Sequence, residues 1–276
     1  MPDTLTDARI TPALQPGCSI LVIAAHPDDE TIGAGARLAG TPDAVVVQAT
    51  DGAPRNGPDV RNAGCASWQD YAALRRHELA RAMALAGLPM ERVIGLGYPD
   101  QGASPGMAGL AREIEALLTA LRPRLVLTHP YEGGHPDHDA VAFAVHAALM
   151  LARRSGAAPP HVEEMASYHA AEDGTTRFQA FLNRADAPER TIVLSPDGRA
   201  LKRRMIDAYA SQATTLAPFR DDVERFRPAP VYDFTRPPHP GPLNYDRFAW
   251  GMTSLRWRTC ATEALHALGL EDTAWR

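Results

Sequence analysis

The sequence predicts an α/β fold: a Rossmann-like, mostly parallel sheet with helices on both faces, in a single domain. Three observations carry that expectation. Short apolar runs rich in β-branched residues recur along the chain, segments with helical spacing separate them, and acidic and imidazole residues gather where two of the runs end. Short strands alternating with helices are the pattern of a parallel sheet covered on both sides, and right-handed crossovers follow from strand twist. The 276 residues fit one such domain and suffice to bury roughly three quarters of the unfolded surface.

After a polar leader over residues 1–18, SILVIAA (19–25) is the first strand, and AVVVQAT (44–50), RVIGLG (92–97) and RLVLTH (124–129) repeat its character. Between them, TIGAGARLAG (31–40), YAALRRHELARAMALAGL (71–88) and GMAGLAREIEALLTALR (106–122) read as helices. In the second, Leu74, Leu79, Met83 and Ala86 fall near helical spacing, and Gly87 stands where a C-terminal cap is expected. HDAVAFAVHAALMLARR (138–154) is a further helix with Asp137 as its N-cap. Two segments interrupt the alternation. Residues 51–68 are rich in Gly, Pro and Asn and read as a long loop of the functional kind. Residues 217–250 are rich in Pro and aromatics, too apolar for a free linker, so 217–276 is expected to form an extension packed on the domain.

Composition excludes several classes. Hydrophobic residues make up 45% and charged residues 22%, which is globular and not disordered. A net charge of −5 does not suit a nucleic-acid binder that neutralises phosphates. Lys202 is the sole lysine among 28 basic residues, a compositional bias that carries no function. Cys18, Cys65 and Cys260 lack a CxxC spacing, so neither a disulfide framework nor a cysteine-built zinc site is expected. The chain has no basic start followed by an apolar run and no apolar stretch near 20 residues. The expectation is a cytoplasmic protein acting on a small molecule, with no membrane or nucleic-acid partner; a homo-oligomer is compatible with the sequence.

Ligands of open parallel sheets collect at the carboxyl ends of strands. AAHPDDE places His26, Pro27, Asp28, Asp29 and Glu30 at one such end, and THPYEGGHPDHD places His129, His135, Asp137, His138 and Asp139 at another. Two imidazoles and a carboxylate with one open position form a common catalytic zinc shell. Asp28 and Asp29 are adjacent, so their side chains point in different directions: one can ligate a metal while the other stays free as a base. His135 and His138, three residues apart where a helix begins, divide metal binding and proton handling in the same way. Carboxylates capping strand-end turns would not require paired histidines after two separate strands. His129 is expected to line the pocket, Glu30 to start a helix, and His146 to be a structural histidine.

At this point the pair AHPDDE and, more than a hundred residues later, HPDH resembles the signature of the LmbE-like, or PIG-L, zinc-dependent de-N-acetylase superfamily. The resemblance covers most of residues 19–212. It implies His26, Asp29 and His138 as zinc ligands, although Fe2+ or another divalent ion also suits a nitrogen–oxygen shell. It implies Asp28 as general base, His135 as general acid or electrostatic stabiliser, and Asp137 as a residue tuning a neighbouring imidazole. Arg75, in RRHE (75–78), matches an Arg-x-x-Glu pattern that contacts substrate, and Asp100, in YPDQG, matches an acidic position facing a sugar. Ser211–Gln212 resembles a substrate-side position. There is one departure: sugar-thiol deacetylases of the family place a Tyr two residues before the first His of HPDH, where this chain has Gly133, which leaves Tyr131 as the substitute. The implied activity is metal-dependent hydrolysis of an N-acyl, in the first instance N-acetyl, amide on an amino sugar or related small glycoconjugate. The rivals are an amidase for a larger thiol-conjugate or secondary-metabolite amide and, in another class, a metal-stabilised binding module without turnover. The first rival is separated by the acid released, the second by whether any amide is turned over. A peptidase is disfavoured because the chain has no HExxH helix.

Overall fold

The computed structural model describes residue 14 and residues 16–56, 58–171, 173–248 and 250–271; the leader expected over 1–18 lies mostly outside them. The first half runs β1 (Ile20–Ala24), α1 (Asp29–Ala39), β2 (Val45–Pro54), α2 (Asp59–Asn62), α3 (Trp68–Leu85), β3 (Val93–Asp100), α4 (Met107–Leu121) and β4 (Leu125–Thr128). The second half runs α5 (Pro136–Arg154), β5 (His161–Met165), β6 (Tyr168–Ala170), β7 (Thr176–Phe178), β8 (Arg190–Val193), α6 (Pro196–Asp207), α7 (Ala213–Leu216), β9 (Val223–Pro228) and α8 (Ser254–Leu268).

Seven strands form one sheet in the order β3-β2-β1-β4-β5-β9-β8. The pairings from β3 to β5 are parallel, while β9 runs antiparallel to both β5 and β8. The single-domain α/β expectation therefore holds. Strand order reverses between β1 and β4, which pair with Leu21 opposite Val126. A crevice opens at such a switch point because the two following connections leave to opposite faces.

Alternation along the strands builds two apolar layers. Leu21, Ile23 and Val126 join Leu110, Ile114, Leu117, Val141 and Trp257 on one face. Ile20, Val22 and Leu127 join Ile32, Leu79, Met83 and Met205 on the other. Each fully buried Leu or Ile side chain contributes about 1.5–3 kcal/mol.

Several local expectations shift. The loop over 51–68 is shorter than expected, because β2 continues to Pro54, α2 occupies part of it and α3 already begins at Trp68 behind a Ser67 cap. Residues 223–228 form β9 inside the sheet, and α8 packs on α4 and α5, its Trp257 Nε1 donating to the Pro136 carbonyl at 3.0 Å. Helix α1 breaks at Ala34 (φ −146°), and Glu224 of β9 accepts the freed amides of Ala36 (2.7 Å) and Arg37 (3.2 Å). All three cysteines are free. Among the described residues no helix is long and apolar enough to cross a membrane.

Candidate active site

A cavity of about 1070 Å³ opens at the carboxyl ends of the strands, and His26, Asp28, Asp29, Asp100, His135 and His138 line it together. They arrive from three pieces of local structure. His26 to Asp29 form the turn from β1 into α1, Asp100 ends β3, and His135 and His138 open α5. The three rings His26, His135 and His138 lie with centroids 4.5–5.3 Å apart.

The start of α5 differs from the sequence reading. His135 is its N-cap, with Nδ1 accepting the Asp137 amide at 3.2 Å, and Pro136 takes the first helical position. Pro suits that position because its missing N–H would be unpaired there anyway. Asp137 is thereby freed from capping. Its carboxylate accepts the amides of Gln101 (2.6 Å) and Ala103 (3.0 Å) and reaches His26 Nε2 at 3.2 Å.

Asp28 sits at the N-cap position of α1 but makes no capping hydrogen bond, and its φ of 126° is a strained value for a residue with a Cβ. Arg75 of α3 holds it: the guanidinium donates to the Pro27 carbonyl and, at 3.1 Å, to Asp28 Oδ2. Asp29 turns the other way. Its Oδ2 lies 3.2 Å from His26 Nδ1, and its Oδ1 lies 3.2 Å from His138 Nε2. Glu30 is fully buried and bonded to Tyr209, Thr31 and Gln48, an anchor beneath the site.

The donor set fits a cation. His138 Nδ1 faces Ser167 Oγ at 3.1 Å and His26 Nε2 faces Asp137 Oδ2 at 3.2 Å. Without a cation, burial of His26 is outweighed by Asp100, Asp137 and Asp29, which raise its ring well above the ordinary imidazole range. In the tautomers that keep the proton on the nitrogens facing Asp137 and Ser167, the other nitrogens of His26 and His138 can ligate an ion. An imidazole anchored through its far nitrogen is the usual arrangement of a metal ligand. Three sets of side-chain ligand atoms converge within 4.8 Å among the described residues: His26, His135 and His138; His26, Asp100, His135 and Asp137; and Asp29, His129 and His138; the expected triad of His26, Asp29 and His138 is split between the first and the third.

Burial and neighbouring charge set the protonation states. Burial, reinforced by Asp29 and Glu30 and opposed by Arg75, pushes the Asp28 carboxyl up to about 8. Burial also acts on Asp29, but His138 and His129 outweigh it and hold that carboxyl well below the ordinary range. Burial and His26 push His135 down to about 3, so its ring is neutral. Burial likewise pushes His138 down to about 4. Burial, with Asp29 and Asp100, raises the Tyr168 phenol well above the ordinary tyrosine range.

The remaining expected residues divide. Arg75 and Asp100 line the cavity, but the Arg75 guanidinium is engaged with the protein itself, and Glu78 of the same motif holds Ser211 through its amide and hydroxyl, both at 2.7 Å. Ser211 and Gln212 also line the cavity, as do Asp59 and Asn62 from the 51–68 segment and Phe248 and Trp250 from the 217–250 segment. Two expectations need correction. Tyr131 is in the aromatic core, stacked on Trp257 with its hydroxyl donating to the Arg236 carbonyl at 2.8 Å, and it does not line the cavity. His129 lies behind the wall: 1% exposed, its ring stacks on His138 at 4.0 Å and its Nε2 accepts the Ala25 amide at 3.0 Å. His146 is remote, packed between Tyr232 and Phe234. Sequence reasoning missed Ser167 and Tyr168, which follow β5, a fourth strand ending at the same rim. The signal would have been that strand, whose HVEEM sequence is too charged to read as one.

Comparison with known proteins gives a consistent picture. The family described as PIG-L: GlcNAc-PI de-N-acetylase matches residues 21–149. A 1D-myo-inositol 2-acetamido-2-deoxy-alpha-D-glucopyranoside deacetylase of Kineococcus radiotolerans is 33% identical over 172 residues, 50% of this chain and 46% of that protein. A probable N-acetyl-alpha-D-glucosaminyl L-malate deacetylase 2 of Bacillus anthracis is 33% identical over 161 residues, 56% of this chain and 70% of that protein. The chain spans about half the length of the first of the curated relatives it matches. Among solved structures, an N,N'-diacetylchitobiose deacetylase from Pyrococcus horikoshii superposes with a TM-score of 0.56 at 19% identity, covering 81% of this chain and 88% of that one. The 4-carboxy-2-hydroxymuconate hydratase of Pseudomonas putida KT2440 superposes with 0.55 at 17% identity, covering 78% and 98%. The last two show the fold alone, which hosts more than one reaction. The paired motifs, their convergence on one rim and the match to relatives assign the chain to the PIG-L family of de-N-acetylases.

Proposed function

We propose that the chain is a metal-dependent amide hydrolase that removes an N-acyl group, in the first instance acetyl, from an amino sugar or related small glycoconjugate. His26, Asp29 and His138 would hold the dication, zinc in this reading. Such an ion polarises a carbonyl and lowers the pKa of water. The observation that carries the reading is the opposed aim of two neighbours: Asp29 faces two imidazoles while Asp28 faces the cavity on the Arg75 guanidinium.

The chain's own groups supply the rest. Asp28 accepts a proton from the attacking water as its oxygen bonds to the acyl carbon, and returns that proton to the nitrogen as the C–N bond breaks, giving a free amine and a carboxylate. A carboxyl raised to about 8 suits both halves of that transfer at neutral pH. His135 is neutral, and with Nδ1 taken by the Asp137 amide its Nε2 carries the proton. Of the two roles open to it, a hydrogen-bond donor to the developing oxyanion suits it better than an acid. Asp137 fixes His26 from behind.

A larger amide is the second reading. The cavity is at the upper end of the roughly 300–1,000 Å³ of small-molecule sites, and Phe178, Phe248 and Trp250 give it aromatic flanks. The test is the full chain, zinc-loaded or chelator-stripped, on N-acetylated amino sugars and longer N-acyl amines, scored for amine and acid. Zinc-dependent release of both in equal amounts supports the proposal; a zinc-loaded protein releasing amine from none of them rejects it.

A further inference from the structure

We propose that Tyr168 is a catalytic residue, its phenol donating a hydrogen bond to the acyl oxygen as negative charge collects there; this rests on the hydrolase reading above. The loop before α5 carries no such group. At Gly133 φ is +70°, and a Cβ there would meet the Leu243 side chain at 2.7 Å, so that position has no room for a side chain. Tyr131 is committed to the core. Of the tyrosines lining the cavity, Tyr71 is on α3, away from the His138 ring, and its hydroxyl accepts from Gln212 Nε2 at 2.7 Å.

Tyr168 differs from both. It opens β6 beside the rim, lines the cavity with Asp28, Asp29 and His138, and stands edge-on to the His138 ring with centroids 5.3 Å apart. Half-buried at the cavity wall, its hydroxyl makes no hydrogen bond among the described residues, which leaves its proton available to a ligand. Phe178 and Phe219 pack on the ring with centroids 5.9 and 6.1 Å away and fix its direction. The approach is close: a Cβ on Gly134 would lie 2.0 Å from the Tyr168 carbonyl oxygen, so glycine at 134 is what lets this strand reach the site. A polar hydrogen beside the reacting centre is what an oxyanion donor supplies, and losing one such donor typically costs about 10²–10³ in kcat.

The test uses the zinc-loaded full chain, N-acetylglucosamine or the best N-acyl amine of the panel as substrate, and a methylphosphonamide of the same amine as tetrahedral analogue. Tyr168→Phe should lower kcat about 10²–10³-fold and weaken the analogue comparably, with KM within threefold and zinc content unchanged. A Tyr168→Phe enzyme with kcat and analogue affinity within threefold of wild type overturns the proposal. Should that variant not fold, fluorotyrosines placed at 168 take over: kcat should vary with phenol acidity, and a flat series overturns the assignment. A wild-type protein that hydrolyses no N-acyl amine and binds no analogue overturns the hydrolase reading and this one with it; an active wild type beside an active Tyr168→Phe overturns only the tyrosine.

Discussion

Arg75 Nη2 lies 3.1 Å from Asp28 Oδ2, and this contact sets how readily the candidate base gives up its proton. Burial is the main force raising the Asp28 carboxyl to about 8, and Arg75 is the main force opposing it. Arg75→Met therefore raises that value further. Because the base must be ionised to act, the acid limb of the pH–rate profile moves to higher pH. In profiles of kcat/KM from pH 6 to 10, each tenfold weakening of the acid should cost about 10-fold in activity at pH 7 and less at pH 9. A uniform loss at every pH would assign Arg75 to substrate binding instead.

Asp28→Asn keeps the shape and removes the proton acceptor. Since Asp28 and Asp29 face different partners, zinc content should stay at the wild-type value while kcat falls by about 10²–10⁴. Metal analysis of the same samples checks that separation. Retained turnover would remove Asp28 from the chemistry.

The buried pair Lys202–Glu224, with Nζ 3.0 Å from Oε1, holds the break in α1. Lys202 also donates to the Ile32 carbonyl at 2.9 Å, and Glu224 receives the two amides freed beyond Ala34. Glu224→Ala leaves a buried cation and two amides without their acceptor, and should destabilise the fold by about 3–5 kcal/mol in urea unfolding. A loss under about 1 kcal/mol would show that α1 does not depend on this cap.

His146 predicts a pH effect far from the cavity. Burial pushes it down to about 4, and its Nε2 is sealed without a partner among the described residues. An unfolded histidine takes its proton near 6.5, so between about 6.5 and 4 the unfolded chain binds a proton that the folded chain refuses. This group therefore makes stability fall as pH drops through that window. His146→Leu should reduce the stability lost between pH 7 and pH 5, read by urea midpoints at the two values; an unchanged difference would contradict the assignment.

What was legible in the sequence follows from where each signal resides. Strands β1, β2 and β4 lie inside the sheet and begin as nearly uninterrupted apolar runs because both their faces are covered, while β3, at the sheet edge, shows this only in Val93 and Ile94. Strands β5 and β9 carry Glu163, Glu164, Glu224, Arg225 and Arg227 and do not read that way. Their charges are paired inside the fold, as with Arg227 Nε and Glu164 Oε2 at 2.7 Å, and pairing partners do not show in a single sequence. The two histidine-bearing turns were legible because they end the strands that were. Ser167 and Tyr168 were hidden because they follow β5, and the exchange of capping roles between His135 and Asp137 was hidden because Pro136 moves the helix start by one turn position.

Zinc bound per chain, measured by elemental analysis after dialysis for wild type, Asp29→Ala and Asp28→Asn, separates the metal ligand from the base in one experiment. One ion per chain is expected in wild type and in Asp28→Asn, and almost none in Asp29→Ala. Equal zinc in wild type and Asp29→Ala would contradict the metal site on which the hydrolase reading stands.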